Sequence, residues 1–255
     1  MEWFQKKWAV VTGVGAGNMG EWIAIELALN GMRIHLVGRS EQKTREAAVR
    51  FEAETKIKPE WTAADLLKLC AEGPKGFRWF VHEIGKKTGR IHVLVHAAGF
   101  VRSAGFLETD SNLYDTTFDI NLKAPFFITQ EMIRSGYLKE GVVINISSTV
   151  GEPTHGWSGG MVYSMSKAAL TLWGQMLASE CAPSIRVNTV LPGSIETPMT
   201  DALLHTEGKR RMARSIPLGR LGRCEEIASV VLALVANEYL SGTEIRVDGA
   251  RTVGP

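Results

Sequence analysis

Tyr163 and Lys167 are a phenol and a primary amine four positions apart. On a helix, positions i and i+4 share a face, so the two side chains would be neighbours. A phenol near its reference pKa of about 10 is a poor proton shuttle at neutral pH. An adjacent ammonium that stabilises the phenolate makes it a usable acid and base. Ser148 lies upstream and offers a hydroxyl to an oxygen on which charge develops. Ser147 is its rival, and alternation along a strand would aim only one of the two at a site. Alone, Tyr163 and Lys167 would read as an ordinary pair on a helix surface. Their meaning depends on what else the chain brings to them.

A second constellation supplies a partner. The apolar run Trp8–Val11 leads into Thr12-Gly13-Val14-Gly15-Ala16-Gly17-Asn18-Met19-Gly20, in which Gly15, Gly17 and Gly20 satisfy G-x-G-x-x-G. A strand precedes this turn and a helix follows, as the motif requires. Missing side chains let the backbone approach a pyrophosphate, and the helix start offers free N–H groups and a positive dipole end. A dinucleotide cofactor is therefore expected, bound by Gly13, Gly15, Gly17 and Gly20. At the end of the second predicted strand, where a carboxylate would bond a ribose 2′-hydroxyl, stand Gly38-Arg39-Ser40. A guanidinium and a hydroxyl suit a 2′-phosphate, which favours NADP(H) over NAD(H).

The elements that must position these groups alternate along the chain. Continuous apolar runs at 8–13, 33–38, 60–65, 92–99, 142–148, 185–193 and 244–249 read as seven strands. Helical spacing occupies 21–30, a charged stretch capped by Ser40 through about Lys56, and 66–87 with a break at Gly73-Pro74-Lys75-Gly76. Strands without polar alternation belong to a parallel sheet covered on both faces. The expected fold is α/β: a Rossmann-like, doubly wound, seven-stranded parallel sheet with helices on both faces, rather than an eight-stranded barrel. One domain spans 1–255, with a substrate lid at about 194–215 whose Met199–Met212 stretch reads as a mobile helix over the site, the alternative being a fixed surface helix.

Composition bounds the rest. The chain has 255 residues, 45% hydrophobic, and a formal charge of +2 with both signs interspersed. No basic block speaks for nucleic acid; Lys209-Arg210-Arg211 reads as a solvated helix face. Cys70, Cys181 and Cys224 are scattered without metal spacing and fit reduced thiols in a cytoplasm. No export signal or membrane-length apolar run occurs.

The landmarks now in order resemble the short-chain dehydrogenases/reductases in their compact form, over nearly the whole chain. They are the turn at 12–20, Asp65, His96-Ala97-Ala98-Gly99, Asn121, Ser148, Tyr163-Ser164-Met165-Ser166-Lys167, Asn188, Pro192-Gly193 and Val247-Asp248-Gly249. The resemblance implies that phosphate contacts fall near Asn18 and Met19, that Asp65 and Leu66 lie near the adenine and that Ala98 and Gly99 line the cofactor trough. It implies that Tyr163 is the acid/base, Lys167 binds the nicotinamide ribose and Ser148 holds the substrate oxygen. Asn121 would support a proton relay through water. Pro192 and Gly193 would adjoin the cofactor, and the backbone of Ile195, with Thr197, would hold the nicotinamide amide. Three departures stand out. The turn is one residue longer than usual, His96 replaces a common Asn and reads as structural, and the 148–163 loop is slightly long. That loop holds His155 and Trp157, which are expected to shape the substrate site; ordinary loop packing is the alternative for both, and for Met161.

The expected activity is hydride transfer between the nicotinamide and a ketone or aldehyde–alcohol pair. Its rivals are a 3-oxoacyl thioester reductase, with Lys209-Arg210-Arg211 receiving a carrier protein, and a non-catalytic NADP-binding regulator. The resemblance also implies a homotetramer or homodimer paired through helices around 109–136 and 163–182.

Overall fold

The protein is described from a computed structural model covering residues 4–152 and 157–253. Its strands are β1 (Trp8–Thr12), β2 (Arg33–Gly38), β3 (Glu60–Ala63), β4 (Ile91–His96), β5 (Gly141–Ile146), β6 (Ile185–Pro192) and β7 (Glu244–Val247). The helices are α1 (Met19–Leu29), α2 (Glu41–Thr55), α3 (Leu66–Glu72), α4 (Pro74–Thr88), α5 (Ser111–Phe118) and α6 (Ala124–Arg134). They continue as α7 (Met161–Glu180), α8 (Pro198–Leu203), α9 (Thr206–Arg214) and α10 (Cys224–Ala236). All strands are parallel, in the order β3-β2-β1-β4-β5-β6-β7. The order reverses between β1 and β4, and the crevice above such a reversal is where open α/β sheets bind ligands.

Successive strand residues serve opposite faces. Val11, Val93, Val95 and Ile144 join Ile23, Leu27, Phe51 and Leu234 on one face. Val10, Leu94 and Val143 join Phe77, Phe80, Ile84, Ile128 and Met132 on the other. That two-sided burial is why the central strands lack polar alternation; the edge strands β3 and β7, expected as continuous apolar runs, instead alternate and are only partly buried.

Local chemistry sets several boundaries. Asn18 caps α1 by accepting from the Glu21 N–H, and Asp65 caps α3 by accepting from Leu67. Gly73, at φ +62°, and Pro74 separate α3 from α4 at the break the sequence marks. Three further expectations change. Ser40 occupies the N-cap of α2, but its hydroxyl makes no capping bond; its carbonyl accepts from Thr44 instead. The 109–136 stretch is α5 and α6 joined by a π-helical turn at Asp119–Lys123. The lid region is two short helices, because Leu204 and His205 take extended backbone angles.

His35 and His96 are wholly buried, bonded to Thr62 Oγ1 at 3.0 Å and Thr129 Oγ1 at 2.7 Å. His96 is thus a packed structural imidazole. Burial pushes both pKa values down to about 3. Between about 3 and the unfolded value near 6.5 the unfolded chain binds more protons, so stability falls as pH falls. Each histidine is expected to remove stability at a slope approaching about 1.4 kcal/mol per pH unit below about 6.5. Urea midpoints at pH 7, 6 and 5 check this; coincident midpoints would contradict it.

Candidate active site

The glycine turn bridges β1 to the end of β4. Gly13 has φ +74°, and a Cβ there would stand 2.4 Å from the Ala98 backbone N and Cα. Gly20 is as constrained, since its Cβ would meet the Gly13 carbonyl at 2.8 Å. Asn18 ties the turn together: Nδ2 donates to the Gly13 carbonyl at 2.8 Å, and Oδ1 accepts from Gly15 and Glu21. The extra residue is thus absorbed in a side-chain staple. The Gly17 N–H donates to the Glu21 carboxylate at 2.6 Å and points at protein rather than at the crevice.

A cavity of about 560 Å³ opens beside this turn. Among the expected cofactor residues, Gly13, Gly15, Asn18, Met19, Gly20, Arg39, Ser40, Asp65, Leu66, Ala98, Gly99 and Thr197 border it. Such a volume, a backbone cradle a Cβ would fill and cations at the β2 end fit a phosphorylated dinucleotide. Lys43 and Arg50, both on α2, also border the cavity. Sequence reasoning missed them because helix position alone does not show which face looks inward.

Gly17, Pro192, Gly193 and Ile195 do not border the cavity. The Gly193 N–H is bonded to Val247, and the Ile195 carbonyl accepts from Thr200 Oγ1 at 2.6 Å. The Ile195 N–H has no hydrogen-bond partner among the described residues, so it and Thr197 are the groups of this segment left to meet a nicotinamide amide.

Beyond Gly99 lies the proton-bearing group. A Cβ on Gly99 would stand 3.7 Å from Lys167 Nζ and 3.8 Å from Asn121 Oδ1. Tyr163 and Lys167 lie on the first turns of α7, with Nζ 5.8 Å from the phenol ring centroid. Lys167 is buried and donates to the Ile146 carbonyl at 2.8 Å, which ties it to the end of β5. Ser148, two residues past that strand, is hydrogen-bonded to Tyr163. Ser147 points away and donates to the Lys167 carbonyl, as strand alternation requires. Asn121 sits in the π turn with its amide fully engaged: Oδ1 accepts from Phe100 N–H, and Nδ2 donates to the Phe100 carbonyl and Ser166 Oγ. A π turn inside a helix is a frequent mark of functional sites.

Electrostatics depart from the expectation in one respect. Burial pushes the Tyr163 phenol up to about 12, while its bond with Ser148 pulls the other way. Burial pulls Lys167 down to about 8. The ammonium is held on the Ile146 carbonyl, so in this state Tyr163 is a firmly protonated acid.

The substrate side is bounded by two loops. The Gly159 carbonyl accepts from Ala104 N–H and Ser103 Oγ, so the 100–107 segment is clasped to the 157–160 turn. Trp157 packs on Gly160, where a Cβ would meet its ring at 2.0 Å. His155, the other expected substrate residue, lies outside the described residues.

A parallel sheet whose switch point carries a glycine-bridged cavity, beside a Ser–Tyr–Lys cluster, defines a dinucleotide-dependent α/β enzyme. A family profile described as enoyl-(acyl carrier protein) reductase matches residues 13–251. The 3-oxoacyl-(acyl-carrier-protein) reductase of Aquifex aeolicus is 34% identical over 249 residues, covering 96% of this chain and 97% of its own. The enzyme of the same name from Thermotoga maritima is 39% identical over 178 residues, 68% of this chain and 71% of its own. A tryptophan variant of actinorhodin polyketide ketoreductase crystallised with NADPH superposes with a TM-score of 0.88 at 25% identity, covering 97% of both chains. The chain belongs to the short-chain dehydrogenase/reductase family and is an oxidoreductase.

Proposed function

We propose that the protein interconverts a ketone or aldehyde and the corresponding alcohol, using NADP(H) in preference to NAD(H). The observation that carries this reading is the Tyr163–Ser148 hydrogen bond one helical turn from a buried Lys167, beside the Gly99 end of the cavity. When bound, the nicotinamide supplies the hydride to the carbonyl carbon. Ser148 holds the carbonyl oxygen, and Tyr163 gives it the phenolic proton as negative charge develops. Lys167 binds the nicotinamide ribose and, as an ammonium below about pH 8, stabilises the phenolate left behind. Asn121 braces the Phe100 backbone and supports a water relay that returns the proton. Trp157 and His155 shape the carbonyl's surroundings, and 194–215 forms a lid, a reading supported by the lack of any buried residue on α8 or α9.

NADP(H) is favoured by Arg39, Ser40 and Lys43 at the β2 corner of the cavity and by the NADPH-bound ketoreductase of like fold. Arg39→Asp is expected to weaken NADPH binding at least about tenfold more than NADH binding. Equal losses, read by nucleotide fluorescence titration, would remove Arg39 from the argument. The activity itself is tested with a panel of ketones, aldehydes and alcohols under both nucleotides. No turnover across that panel would favour the non-catalytic NADP-binding alternative.

Reduction of a 3-oxoacyl thioester is the second reading. It is favoured by the names of the two bacterial relatives and by exposed Arg210, Arg211 and Arg214 on α9, a landing face for an acidic carrier. Turnover of a carrier-bound 3-oxoacyl thioester, against the free thioester, tests it. A homotetramer or homodimer is supported by exposed Met161, Met165, Leu172 and Met176 along α7, with Tyr114 and Phe126 nearby in sequence on the α5–α6 stretch. Light scattering on the purified protein tests that. A cytoplasmic setting is supported by free Cys70, Cys181 and Cys224; no helix among the described residues is long and apolar enough to cross a membrane.

A further inference from the structure

We infer that Arg50 is a second cation for the 2′-phosphate of NADP(H), positioned by Glu21; this rests on the NADP(H) reading above. The glycine turn, Gly13 to Gly20, contains no cation of its own. It does carry a buried carboxylate on its flank. Glu21 is 5% exposed in the first turn of α1, and its Oε2 accepts from the Gly17 N–H at 2.6 Å. That bond resembles a capping box and stabilises the helix start. It also places a negative charge where a polyanion must approach, and two like charges in a half-buried site repel strongly.

Arg50 removes that conflict. It reaches from the third turn of α2 to donate Nε to Glu21 Oε1 at 3.0 Å. The guanidinium is then fixed about one side chain's breadth from Gly17, on the cavity border with Ala16, Arg39, Ser40 and Lys43. Beyond that ion pair the guanidinium makes no hydrogen bond among the described residues, and the side chain, 41% exposed, borders the cavity. A phosphate oxygen is the acceptor whose charge and fork geometry suit it. Lys43 lies seven positions earlier on the same face of α2, and neither it nor Arg39 forms an ion pair among the described residues. The corner thus gathers three cations, against Glu46 on the border and Glu21 already paired.

The shared border with Arg39, Ser40 and Lys43 favours the 2′-phosphate over the pyrophosphate. The pyrophosphate belongs over the α1 start between β1 and β4. Arg50 comes from α2, the helix that follows the Arg39-Ser40 corner, where the adenosine ribose belongs. A guanidinium that only braced α1 against α2 would have the same ion pair but no preference between nucleotides, and this separates the two explanations.

The test is titration of the nucleotide-free protein with NADPH and with NADH, read by nucleotide fluorescence. Arg50→Ala is expected to weaken NADPH about tenfold or more and NADH less than about twofold. Because that variant strands the buried Glu21 charge, the double variant Glu21→Gln/Arg50→Ala provides a folded control. It keeps a carbonyl for Gly17 and should show the same selective loss. Arg50→Lys keeps the charge without the fork and should lose only a few-fold. Equal losses for both nucleotides, or no loss, would overturn the inference while leaving the NADP(H) reading intact. A wild-type protein with no preference for NADPH would overturn both.

Discussion

Tyr163→Phe is expected to lower carbonyl reduction by about 10³-fold or more, with NADPH affinity changed less than about threefold. The substitution removes one oxygen from a side chain packed on the first turn of α7, and the ring volume is retained. What is lost is the one proton-giving group bonded to Ser148 among the described residues at the end of the crevice. A protonated phenol is what reduction requires, and burial keeps Tyr163 protonated through neutral pH. The loss should therefore fall on kcat rather than on cofactor binding. Ser148 would be left without its phenol partner, but it stays exposed enough to meet water. Single-turnover reduction with prebound NADPH, beside a binding titration of the same variant, separates chemistry from affinity. Undiminished turnover would remove Tyr163 from the mechanism.

Gly13→Ala is expected to abolish useful cofactor binding, with a loss of about 10²-fold or more in affinity for both nucleotides. Two effects act together. The φ of +74° is open to glycine and costly for a side chain. The new Cβ would also lie 2.4 Å from the Ala98 backbone, a main-chain clash that no rotamer relieves. Relief requires the ends of β1 and β4 to part, and that junction is the floor of the cavity. Fold stability should fall as well, so thermal unfolding is measured alongside NADPH and NADH titrations. Gly17→Ala serves as the comparison, since nothing lies within 4 Å of a Cβ there and only the positive φ penalises it. Similar affinities in Gly13→Ala and wild type would mean that the turn does not shape the cofactor site.

Legibility in the sequence followed the range of the interaction. The β2 strand matches its predicted span, Arg33–Gly38, because a strand buried on both faces is an unbroken apolar run. The α3–α4 break stands at Gly73-Pro74, because those two residues act on their own backbone. The Tyr163–Lys167 pair follows from one helical turn; strand alternation says only that one of Ser147 and Ser148 faces the site, and the family pattern picks Ser148. The lid was harder, since its extended break at Leu204–His205 carries no glycine or proline to mark it.

By itself, then, the sequence determined the parallel α/β class, the glycine turn after the first strand and the pairing of Tyr163 with Lys167. Those are properties of local spacing, and local spacing is what a linear chain records. Tertiary structure alone decided the strand order that opens a crevice between β1 and β4. It also decided the three-bond anchoring of Asn121, the tether of Lys167 to Ile146, and the Glu21–Arg50 pair across 29 residues. Each depends on which faces of distant elements meet. The protonation of Tyr163 belongs with these, because it is set by burial, and burial exists only once the chain has packed.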